Sequence, residues 1–168
     1  MTFYNCKILF ILSFIFIIFS FQNINSTNLK ITSIIVLDKK IPMKCGINVY
    51  NKDEEYNISL SIKKKNNETF VQLAFNSDKF NITKGNIITN SVDMGKLVNI
   101  EKKKKFNLFK EGLADVNNVS LLFQEFLIDG GTVKINDDEF KISGPIDSKV
   151  RLEYLFCTGE MFHPKYKD

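Results

Sequence analysis

The sequence predicts a mainly β fold of the α+β kind: an antiparallel β-sandwich or open barrel of seven to nine short strands, with two short helices near the C-terminus. Three features carry this reading. Apolar and polar residues alternate in run after run, turn-forming residues separate the runs, and two late segments change to spacings of three and four.

The last quarter is the most strongly patterned. Gly130-Gly131 ends what precedes it, residues 132–136 alternate, Asp137-Asp138 reads as a turn, and residues 139–143 alternate back. Two half-buried runs across a two-residue polar loop make a β-hairpin. Gly144-Pro145 then breaks the strand and suits a helix start, since proline at the first helical position gives up a donor that has no partner anyway. Ile146, Val150, Tyr154 and Cys157 follow at intervals of four, four and three, one face of a helix, which sets Cys157 on the buried stripe.

Earlier in the chain, residues 31–37 form a short apolar run, Asp38-Lys39-Lys40 a turn, and Pro42 leads into the next strand. Met43, Cys45, Ile47 and Val49 alternate with polar neighbours; so do Tyr56, Ile58, Leu60 and Ile62, and then Val71, Leu73 and Phe75. These three runs read as an antiparallel meander with one face on the core. Phe80 and Ile82 follow, Lys84-Gly85-Asn86 reads as a turn, and short strands are expected around Ile88–Met94, Leu97–Ile100 and Phe106–Leu108. Val119, Leu122, Phe123 and Phe126 mark an amphipathic helix, with Asn117 or Asn118 as its N-cap and Gly130 as its terminator.

The N-terminus carries an address. Lys7 is followed by an uncharged run over residues 8–21, too short for a spanning helix and right for the apolar core of a signal peptide. Residues 1–26 are therefore expected to be a leader, residues 27–157 one β-rich domain, and residues 158–168 a loosely held tail. The alternative for the leader is an uncleaved N-terminal anchor, which would be the only membrane contact. Cys6 belongs with the leader, which leaves Cys45 and Cys157, an even count in an exported chain. In an oxidising compartment such a pair tends to be a disulfide; two buried free thiols are the other reading. The bridge would close a loop of about 112 residues and stabilise by up to roughly 4–5 kcal/mol.

Composition bounds the function classes. Hydrophobic residues make up 44% and charged residues 25% of the 168, ordinary globular values. The formal charge of +4 is small and mixed in sign, and Arg151 is the only arginine, so the bidentate phosphate contact is nearly out of reach. No nucleic-acid partner is expected. Lys102, Lys103, Lys104 and Lys105, with Lys63 to Lys65, are the candidate basic patch for an anionic surface; a solvated turn in a lysine-rich sequence is the favoured reading of them. His163 is the sole histidine and Cys157 the thiol that it would have to activate, but the disulfide is the better use of that sulfur. Asp137-Asp138-Glu139 and Asp53-Glu54-Glu55 are short acidic clusters at turns that lack the spaced ligands of a calcium loop. No catalytic set, metal site or cofactor cradle is expected.

From Asn117 to Cys157 the order is helix, Gly-Gly, hairpin, Ser-Gly, and a helix ending in cysteine, partnered by an early strand cysteine. Carried by Cys45, Leu122, Gly130, Val133, Ile135, Phe140, Ile142, Ser143-Gly144 and Cys157, it resembles small exported bacterial two-cysteine proteins akin to the invasion-associated locus B group. The resemblance implies an exported β-rich fold and no catalytic residues. The functional expectation is a non-enzymatic, periplasmic or extracellular binding module for a protein or envelope component. The rivals are a small inhibitor of a secreted enzyme, such as a lysozyme inhibitor, and a hydrolase of unrecognised type.

Overall fold

The computed structural model describes residues 29–65, 68–77, 82–103, 106–110 and 115–163; the expected leader, Asn67, Phe80, Lys104 and Lys105 lie outside them. The elements are β1 (Leu29–Asp38), β2 (Ile41–Asn51), β3 (Tyr56–Lys65), β4 (Glu68–Asn76), β5 (Lys84–Ile88), β6 (Leu97–Lys103), β7 (Phe106–Lys110), α1 (Val116–Ile128), β8 (Gly130–Ile135), β9 (Asp138–Ser143) and α2 (Ser148–Phe162). The fold is mainly β with two helices near the C-terminus, and every strand pairing is antiparallel.

The strands hydrogen-bond in one series, β1-β2-β3-β4-β7-β6-β5-β8-β9. Alternation in the sequence becomes rows across this sheet: Cys45, Ile62 and Val71 stand in register, then Ile47, Leu60 and Leu73, then Val49, Ile58 and Phe75. All nine are buried. Each row is a set of cross-strand neighbours on one face, the unit in which a sheet gains its packing energy.

The sheet is strongly curled. A flat sheet would hold β9 about 24 Å from β4, five spacings of about 4.8 Å. Instead the Phe140 ring of β9 lies 5.1 Å from that of Phe75 on β4 and 4.7 Å edge-on to that of Tyr56 on β3. The β9 end of the series thus folds back over β3 and β4 across the core. Burial in this cluster also raises the Tyr56 hydroxyl's pKa.

The helices fill the concave side. Leu122, Phe123, Phe126 and Leu127 of α1 and Val150, Tyr154, Cys157 and Met161 of α2 are buried, and Phe123 stacks on Tyr154 at 4.7 Å. Among the described residues no helix is long and apolar enough to cross a membrane.

Several boundaries differ from expectation. The hairpin turn is Asn136-Asp137, one residue earlier than Asp137-Asp138, because Ile135 pairs with Asp138 and Asn136 takes the left-handed conformation at φ 55° that asparagine tolerates. Lys84-Gly85-Asn86 is strand β5, where Gly85 pairs with both Leu97 and Ile135. The α1 cap is Asp115, whose carboxylate accepts from the Asn117 N–H at 2.9 Å. Asp147 caps α2 in the same way, so Pro145 stands before the helix and not at its first position. Nor does a loose tail begin at Thr158: α2 continues to Phe162 because Met161 extends the buried stripe by one more turn. Gly130 does end α1, at φ +86°, where an added Cβ would lie 2.1 Å from the Ile142 carbonyl oxygen.

Candidate functional site

The expected clasp is formed. Cys45 and Cys157 are joined across a separation of 112 residues, with Cα atoms 5.8 Å apart. Cys45 comes from the inner row of β2 and Cys157 from the buried stripe of α2, so the bond fixes the helix against the sheet. It also removes the only described thiols, and Cys157 is no nucleophile for His163, which sits exposed at the C-cap of α2.

With α2 held on β2 and β1, a groove opens on its other flank. Its volume is about 510 Å³, and Ile62, Val119, Tyr154, Leu155 and Phe162 make its apolar lining. Thr69 lies on the same face of β4 as Val71 and adds one buried hydroxyl to the floor. Ser120 and Gln124 of α1 and His163 at the C-cap of α2 supply the polar rim, and among the described residues the lining contains no carboxylate. The Thr158 hydroxyl is spent on its own helix, donating to the Tyr154 and Leu155 carbonyl oxygens at 3.0 and 3.1 Å. At one end Lys64 donates to the Met161 carbonyl oxygen at 3.4 Å, and its ammonium stands 5.7 Å from the centre of the Phe162 ring. A cation there complements the carbonyl end of α2. Burial pushes the Tyr154 hydroxyl's pKa strongly upward, so the phenol stays neutral.

The apolar surface does not stop at the groove. Leu152, Leu155 and Phe156 repeat at three and four along α2 and are all exposed, Phe156 by 71%. This second stripe was present in the sequence beside the buried one. The groove itself has no local signal, because it joins β3, β4, α1 and α2.

The other sequence candidates resolve as turn chemistry. The Asn51 side chain accepts from the N–H groups of Asp53 and Glu54, closing the β2–β3 turn that holds Asp53, Glu54 and Glu55. Lys84 pairs with Asp137 at 2.9 Å and Lys134 with Glu139 at 2.7 Å. Among the described residues no group of three or more His, Cys, Asp or Glu is placed to hold a metal. Lys102 and Lys103 end β6, in register with Asn107 and Phe106 of β7. Lys63 lies beside Lys44 on the convex face, and burial together with the Lys63 charge lowers the Lys44 pKa. Carboxyl groups with a resolved shift, Asp93, Glu125 and Glu139, are all lowered, chiefly by hydrogen bonds, the opposite of what a general acid requires. No family model, curated protein or solved structure matches the chain.

Proposed function

We propose that the protein is an exported, non-enzymatic binding module whose ligand is an apolar segment of a partner protein. The observation that carries this is the groove of about 510 Å³ between α1 and α2, within the usual size range of binding sites. Its continuation onto exposed Leu152, Leu155 and Phe156 favours a partner surface over a small enclosed molecule. The polar rim of Ser120, Gln124 and His163 frames it, as polar residues rim protein interfaces. Export is supported by the apolar run at residues 8–21 and by a disulfide that belongs in an oxidising compartment. Kinship with the invasion-associated locus B group is part of the same proposal, resting on the order helix, hairpin and cysteine-bearing helix.

The test places a photo-cross-linking residue at position 155 of the full chain, with position 141 on β9 as control, in cells that export it. The reading expects a discrete protein adduct from 155, attached through an apolar peptide, and none from 141. Adducts from both positions or from neither would overturn it, as would recovery of the native chain with Cys45 and Cys157 reduced.

A further inference from the structure

The two ends of the sheet are built differently. Strand β9 is short, and Asp138, Glu139 and Lys141 are exposed along it. Charges of this kind keep an edge strand from pairing with another chain. Strand β1 has no such protection beyond its ends. It runs from Leu29 to Asp38, its only charges are Lys30 and Asp38, and no described strand pairs with its outer edge. Ile35, Val36 and Leu37 are 45%, 49% and 58% exposed, on alternate faces of the sheet.

We infer that β1 is the interface of a two-fold dimer, in which a second copy of this chain adds its own β1 antiparallel to make one continuous sheet. Alternate residues of an edge strand present their backbone N–H and C=O groups outward. A self-pairing strand must therefore oppose residues of like parity, and its register is centred on a residue. Centred on Ile34, residues 30–38 overlap fully, about 30 Å of seam at about 3.3 Å per residue.

In that register Lys30 opposes Asp38 of the second copy, and the pair recurs at the other end by symmetry. Ile31 opposes Leu37, Thr32 opposes Val36, and Ser33 opposes Ile35, so each exposed apolar residue gains a cross-strand neighbour. Centring on Ser33 instead sets Lys30 against Val36 and leaves Asp38 unopposed; centring on Ile35 leaves Lys30 outside the seam. The charges select Ile34. On the concave face Ile35 stands in register with Cys45, which is bonded to Cys157, and Ser33 donates to the Glu153 carboxylate, so α2 flanks the seam.

The full chain, produced in an exporting host and purified in the form that host yields, is expected to sediment as a dimer. Ile34→Cys should cross-link to itself on mild oxidation, since the two-fold axis passes beside it. Thr32→Cys and Val36→Cys should each fail alone and link when mixed. Val36→Lys, at an exposed position, should weaken dimerisation by about tenfold or more with the monomer's circular dichroism unchanged. A wild-type monomer overturns the inference, and so does a dimer that lacks the 34–34 link or survives Val36→Lys undiminished.

Discussion

Removing the clasp tests the central feature of this fold. In the Cys45→Ala/Cys157→Ala variant the native chain keeps α2 seated through Val150, Tyr154 and Met161 and through the stack of Tyr154 on Phe123. What changes is the unfolded chain, freed of a loop spanning 112 residues. A loop of that size restricts unfolded-state entropy by an amount worth about 4.8 kcal/mol at 25 °C. The variant should therefore lose about 4–5 kcal/mol in urea unfolding, or about 10–20 °C in Tm. Its urea m-value should rise, because an unclasped unfolded chain exposes more surface. A loss below about 1 kcal/mol with an unchanged m-value would refute the reasoning. Loss of amide protection confined to α2 would refute it differently, by placing the effect in the native state.

Tyr154→Ala removes a buried ring and its stack on Phe123, and should cost about 3–5 kcal/mol in chemical denaturation, whereas Tyr154→Phe keeps the ring and should cost far less. Gly130→Ala forces a Cβ to within 2.1 Å of the Ile142 carbonyl at φ +86°, and should lower stability by at least about 1–3 kcal/mol in the same assay. Asn136→Gly should be tolerated better than Asn136→Ala, since both lose the bonds accepted from Thr83 but glycine meets φ 55° without strain; thermal unfolding ranks them. Hydrogen bonds from Ser91 and Thr89 hold the Glu125 pKa below its ordinary value. A folded pKa depressed below the unfolded one contributes stability above the unfolded pKa, and that contribution disappears as pH falls through the folded pKa. The protection factor of the Ser91 amide, the unfolded chain's exchange rate divided by its own at the same pH, should accordingly fall on acidification below the ordinary glutamate range, and Glu125→Gln should remove that fall.

The parts of this fold that sequence makes visible are those decided by neighbours a few residues away. Ile58, Leu60 and Ile62 alternate because one face of β3 meets the core, and Val119 to Phe126 recur at helical spacing for the same reason. The strand order is set by partners far along the chain: β4 pairs with β7, and β5 lies between β6 and β8. Lys84-Gly85-Asn86 has turn composition, yet flanking strands on both sides hold it extended. Asn117 reads as a cap because it stands just before the apolar period, while Asp115 takes that role by reaching the Asn117 N–H. The disulfide was legible by counting cysteines outside the expected leader. The groove was not, since Ile62, Val119 and Phe162 become neighbours only after sheet and helices have assembled.

Cys45 lies in the second strand and Cys157 in the penultimate turn of the last helix. During elongation, therefore, the Cys45 sulfur precedes its partner by 112 residues. The meander of β1 to β4 has every one of its own neighbours in hand by then, so the covalent bond seals a structure already begun and does not initiate it. A chain cut short anywhere before position 157 keeps a free thiol at position 45. The oxidation state of that sulfur thus reports whether synthesis has passed position 157.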